Sequence, residues 1–144
     1  MNTSLAIFGP VFTLGFWTFI VLNILGLARI RAGAKMQIRP EDFKLGESES
    51  VPERVRLPNR NYMNLLELPV LFYAVSIVAY ITGTATATMV AVAWIFVGLR
   101  IVHSVIHLST NNVMQRLYVF VAGNTALLVL WVLVAIAVWS KNAA

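Results

Sequence analysis

The chain has 144 residues, room for one compact domain, and 59% of them are hydrophobic against 12% charged, with a mean hydropathy of +0.78; ordinary soluble domains carry about a quarter charged residues, so that class is excluded. The net charge of +5 is no nucleic-acid footprint, because eight of the eleven basic residues fall between Arg29 and Arg60, mixed with Glu41, Asp42, Glu47, Glu49 and Glu53, with no aromatic-interleaved basic patch. The absence of cysteine excludes disulfides, thiolate metal sites and cysteine nucleophiles.

The first apolar stretch, about residues 5–29, has no charge before Arg29 and exceeds the roughly 20 residues needed to cross a bilayer. It lacks a basic leader and runs too long for a cleavable signal, so it reads as a membrane span. Asn23 is its one strongly polar residue, suited to an interhelical hydrogen bond or a ligand contact. The span closes on ARIRAGAK. Arg29, Arg31 and Lys35 anchor it at the positive-inside face, and Arg29, on the last turn, is also placed to meet an anionic ligand. Residues 30–59 read as a polar cytoplasmic loop punctuated by Pro40, Gly46, Pro52 and Pro58.

A second span covers about 60–81. It opens with Arg60, Asn64 and Glu67 at i, i+4, i+7, one narrow stripe at about 100° per residue. Pro69 is expected to kink it near Glu67. A carboxylate inside an apolar span is costly unless it is paired or faces a polar cavity. A third span, about 89–108, carries Arg100, His103 and His107 at i, i+3, i+7, with Ser104 beside them. A fourth, about 113–139, opens with Arg116, whose stripe continues through Phe120 and Gly123; Trp139 sits like an interfacial anchor near its end.

The expected fold is all-α: an integral membrane, up-down four-helix bundle forming a single domain over 1–144. Short turns between spans two, three and four force antiparallel neighbours. The basic loop should be cytoplasmic, which puts both termini on the opposite side. Arg29, Arg60, Asn64, Glu67, Arg100, His103, His107 and Arg116 then share the cytoplasmic half. Four arginines and one carboxylate at one depth make a cationic pocket for an anionic, polar ligand. Other readings stand beside this one. Glu67 pairs with Arg100 or Arg60 as structural glue. His103 and His107 bind a metal or haem, for which the chain offers no third histidine. Arg116 snorkels as a plain anchor.

These motifs together resemble the MAPEG family, the membrane-associated proteins in eicosanoid and glutathione metabolism. The resemblance rests on RIR closing span one and on R-x-x-x-N-x-x-E-x-P at Arg60, Asn64, Glu67 and Pro69. It rests also on R-x-x-H-S-x-x-H from Arg100 to His107, and on Arg116 opening span four. It covers nearly the whole chain and is similar in kind to bacterial-type members. It implies a homotrimer that binds glutathione between subunits near the cytoplasmic face, in a bacterial inner membrane or an endoplasmic-reticulum membrane. By position it implies that Arg29 meets a glutathione carboxylate. Arg60, Asn64 and Glu67 bind the peptide, Glu67 through its ammonium. His103 and His107 are contacts, with Arg100 beside them. Arg116 stabilises the thiolate. A thiol of pKa about 8.5 is mostly protonated at neutral pH, and a guanidinium favours its ionised form. Two positions depart from the prostaglandin-forming member: Leu117 and Phe120 replace a serine and a tyrosine. His107 stands where tyrosine is common. The resemblance therefore implies a glutathione-dependent transferase or peroxidase for lipophilic electrophiles or lipid hydroperoxides, with a non-catalytic lipid- or partner-binding protein as the alternative.

Overall fold

The computed structural model describes residues 3–44 and 46–142; the chain ends themselves lie outside the described residues. The described chain is helical, with no strand. A single turn α1 (Thr3–Ala6) leads into α2 (Phe8–Ala34). After a 3₁₀ turn at Pro40–Phe43 come α3 (Glu53–Leu66), α4 (Leu68–Ile81), α5 (Ala87–Leu108) and α6 (Val113–Asn142). Four helical stretches are long and apolar enough to cross a membrane: Ser4–Ala34, Glu53–Ile81, Ala87–Leu108 and Val113–Lys141. The four-helix reading of the sequence holds.

The helices alternate in direction, and contacts at one end of the bundle prove it. The Phe8 ring meets the Tyr80 ring at 4.8 Å, Gly9 lies against Trp94, and Lys141 Nζ donates to the Thr82 carbonyl at 2.7 Å. The starts of α2 and α5 thus meet the ends of α4 and α6. The core between them is apolar and tightly layered, with Leu14, Val21, Phe72, Val75, Phe96 and Leu130 buried. Phe72 and Phe96 stack at 4.9 Å.

Each turn has a local cause. Glu67 separates α3 from α4 at φ −88°, ψ −95°. Pro69 follows in the first turn of α4, where its missing N–H costs nothing. The expected kink is therefore a full break. Thr86 caps α5 by accepting from Met89 N at 3.3 Å. Gly83 adopts φ +64° and a Cβ there would stand 3.4 Å from Lys141 Nζ. Gly83→Ala is expected to cost about 1 kcal/mol, read as a lower apparent melting temperature in detergent; an unchanged value would contradict this account of the turn.

The second span begins earlier than its apolar run suggests, since α3 starts at Glu53. Residues 53–60 are polar helix standing above the apolar layer. They are held by a small second core in which Ala32, Val51 and Val55 pack with Ile38 and Phe43. This core folds the polar loop onto the ends of α2 and α3. Asp42 and Ser48 tie it down further, Asp42 Oδ2 accepting from Arg39 N at 2.8 Å and Oδ1 from Ser50 Oγ at 3.0 Å. Asn23 makes no interhelical hydrogen bond among the described residues: its Nδ2 donates to the Phe19 carbonyl of its own helix at 2.8 Å, and the side chain is exposed.

Candidate functional site

Antiparallel packing turns the sequence stripes into polar ladders. Asn61 Nδ2 donates to Ser104 Oγ at 2.7 Å. Three residues on, Asn64 Oδ1 accepts from Arg100 at 3.3 Å. The same α5 face runs against α6. Arg100 donates a second, 2.9 Å bond to Asn124 Oδ1, and the His103 ring packs 5.9 Å from the Phe120 ring. The Arg100 guanidinium also lies 5.2 Å over the Phe96 ring and 5.1 Å over the Phe120 ring. A cation 2% exposed is thus held by two amide oxygens and two aromatic faces, the arrangement that makes an intramembrane charge tolerable. Gly123 packs beside it: a Cβ there would stand in ordinary contact, 3.9 Å from Arg100 Nε.

Arg116 is built from the turn upward. Asn112 caps α6, its Oδ1 accepting from Gln115 N at 3.0 Å. Asn111 adopts φ +49°, a conformation that asparagine tolerates better than most residues. From there its Oδ1 accepts from Arg116 at 2.6 Å. Both asparagines of the STNN turn are thereby used, one to start the helix and one to aim its arginine. Arg116 Nε is buried with no hydrogen-bond partner, and so is His107 Nδ1.

These side chains border a cleft of about 260 Å³ lined by Asn64, His103, Val113, Arg116, Leu117 and Phe120. Its lining is mixed: α6 contributes Arg116 together with Val113, Leu117 and Phe120, and α3 and α5 contribute Asn64 and His103. Arg60 lies within electrostatic reach of both Arg116 and His107, which adds positive potential at the mouth. His103 and His107 stack edge-on, 6.1 Å apart at 77°, and His107 is 2% exposed. No cluster of three or more His, Cys, Asp or Glu side chains forms among the described residues. Such a cleft suits an anion with an apolar partner beside it.

Of the eight residues singled out in the sequence, Asn64, His103 and Arg116 line the cleft and Arg100 braces it. Arg60 and His107 flank it. Glu67 is exposed at the α3–α4 break and caps neither helix; it attracts Arg100 across space without forming an ion pair. Arg29 stands apart. It donates to Asn59 Oδ1 at 3.1 Å, lies 4.8 Å over the Phe43 ring and borders a different cavity with Ile38, Arg39 and Pro40. Asn59 in turn donates to Glu47 at 3.3 Å, so the folded loop claims Arg29 within the chain. The sequence reading passed over Asn61, Asn111 and Asn124. Asn124 lies eight residues after Arg116, on the Phe120 stripe, and a polar side chain there in an apolar span was the available signal.

The family model of the MAPEG family matches residues 7–136, a stretch that contains all four spans but for their ends. Searches among curated proteins and among solved structures gave no match.

Proposed function

This chain belongs to the MAPEG family, and from that premise we propose that it is an integral membrane, glutathione-dependent transferase or peroxidase acting on lipophilic electrophiles or lipid hydroperoxides. The observation that carries the reading is a cleft whose lining mixes a cation and polar groups, Arg116, Asn64 and His103, with the apolar side chains of Val113, Leu117 and Phe120. The cation and polar groups suit an anionic tripeptide; the apolar side chains suit a substrate dissolved in the bilayer. Glutathione, when bound, supplies the nucleophilic sulfur that a chain without cysteine lacks.

The chain's own residues do the rest. Arg116 favours the ionised thiol by charge and by hydrogen bonding. Asn111 fixes one arm of its guanidinium, which leaves the other amino arm for the ligand. Arg60 adds charge for a peptide carboxylate. Asn64, steadied by Arg100, presents its amide. His103 adds its ring to the lining, and the buried His107 packs edge-on against it. The carboxylate of Glu67, not consumed by an ion pair, suits the peptide ammonium. The family resemblance adds a homotrimer with the peptide between subunits, an assembly in which Arg29 is a further cation for a carboxylate. The cation-rich end of the bundle faces the cytoplasm under the positive-inside rule, so that both chain ends point away, in a bacterial inner membrane or the endoplasmic reticulum.

A second reading, a non-catalytic lipid- or partner-binding protein, is favoured by the apolar Leu117 and Phe120 beside Arg116. Proteoliposomes given glutathione and an apolar aryl halide separate the two. The enzyme reading expects conjugate formation that saturates with glutathione; glutathione binding with no conjugate or peroxidase turnover supports the second reading, and no glutathione binding overturns the enzyme reading. Glu67→Gln is expected to weaken glutathione binding roughly tenfold, the worth of one charge-assisted hydrogen bond, by calorimetric titration in detergent. Unchanged affinity would remove Glu67 from the site.

A further inference from the structure

The cleft leaves the cations at the end of α2 unused. Arg31 and Lys35, with Ala28 and with Arg54 of α3, line a separate cavity of about 320 Å³. Its lining holds three cations and no carboxylate. No acid of the loop belongs to it: Asp42 binds Arg39 N and Ser50, Glu47 accepts from Asn59, and Glu41, Glu49 and Glu53 are exposed outside the lining. Arg54 is held in place by a hydrogen bond to Gln37 Oε1. Arg31 and Lys35 are exposed and make no side-chain hydrogen bond among the described residues.

Depth selects the ligand. The 27 residues of α2 span roughly 40 Å at 1.5 Å per residue, against a hydrocarbon layer of about 30 Å. The last turn of α2 therefore stands in the headgroup layer. Leu27, one turn before Arg31, is exposed, as is Ile30, so an apolar track leads from the cavity toward the membrane interior. We propose that Arg31, Lys35 and Arg54 form a binding site for the phosphate of an anionic phospholipid headgroup, whose acyl chains lie along Leu27 and Ile30. Guanidinium and ammonium groups converging on one cavity are the donors that phosphate takes. The site is independent of glutathione chemistry, so neither proposal rests on the other.

The test uses the full chain in detergent and native mass spectrometry with phosphatidylglycerol and phosphatidylcholine of matched acyl chains. Each cation at a membrane face contributes roughly a fivefold preference for anionic lipid. The triple variant Arg31→Gln, Lys35→Gln, Arg54→Gln is thus expected to lose phosphatidylglycerol retention on the order of a hundredfold, with helical content unchanged. Arg56→Gln removes a charge outside the cavity and is expected to keep it. Displacement of the lipid by excess inorganic phosphate would keep the phosphate site and identify the free anion as a ligand. Equal retention by the triple variant, no preference over phosphatidylcholine, or a loss in Arg56→Gln as large as in the triple variant would each overturn the proposal.

Discussion

Replacing Arg116 with alanine is expected to lower the rate of glutathione conjugation roughly 10²–10³-fold, the usual effect of deleting one preorganised donor at a developing or standing negative charge. The expectation follows from how the side chain is held. Asn111 fixes one arm at 2.6 Å, the Nε edge is buried and unpartnered, and the residue lines the cleft. Its removal takes charge from the wall where the sulfur would sit. It leaves Asn112 as the cap of α6, so the helix should survive. Far-ultraviolet circular dichroism should match the parent while kcat falls. Arg116→Lys should recover only part of the loss, because an ammonium lacks the forked geometry that lets one arm bind Asn111 while another edge faces the ligand. Full activity in Arg116→Ala would remove the arginine from the mechanism and return it to an anchor at the mouth of the span.

The second large effect belongs to Arg100, and it is structural before it is functional. Arg100→Ala is expected to destabilise the bundle by about 3 kcal/mol. Truncating a large buried side chain costs about 2–5 kcal/mol through the cavity left behind. Each interhelical hydrogen bond in a membrane bundle adds about 0.6 kcal/mol on average. Two such bonds are lost here, to Asn64 and Asn124, and their amide oxygens are left facing an apolar gap. The apparent melting temperature in detergent should drop well below that of Arg116→Ala, and glutathione affinity should fall with it as Asn64 loses its brace. Arg100→Met keeps most of the volume and isolates the polar contribution: it should recover much of the stability but not the affinity. A melting temperature equal to the parent's in Arg100→Ala would mean that the ladder between α3, α5 and α6 is not what holds these helices in register.

These two residues also mark how far the sequence could be read. Arg100, His103 and His107 share a helical stripe by spacing alone, and an ionisable group in an apolar span is conspicuous. Four long apolar runs, the last three joined by short turns, pointed to an antiparallel bundle. Three things escaped, each for a physical reason. Hydropathy marks the part of a helix that hydrocarbon surrounds, so the polar first turns of α3 from Glu53 looked like loop. Asn124 is neutral and single within its run, Asn61 is one of three asparagines between 59 and 64, and only the antiparallel register that sets them opposite Arg100 and Ser104 gives them meaning. Arg29 shares its depth with the other arginines, but its neighbours are Asn59, on the polar start of α3, and Phe43, from a loop whose packing no periodicity encodes.

The measurement that bears most directly on the central claim is ultraviolet difference absorbance, near the thiolate band, of glutathione added to the purified chain in detergent. The account predicts a saturable signal at neutral pH that disappears in Arg116→Ala while glutathione still binds. Saturable glutathione binding with no thiolate signal, or a signal that persists undiminished in Arg116→Ala, would contradict it.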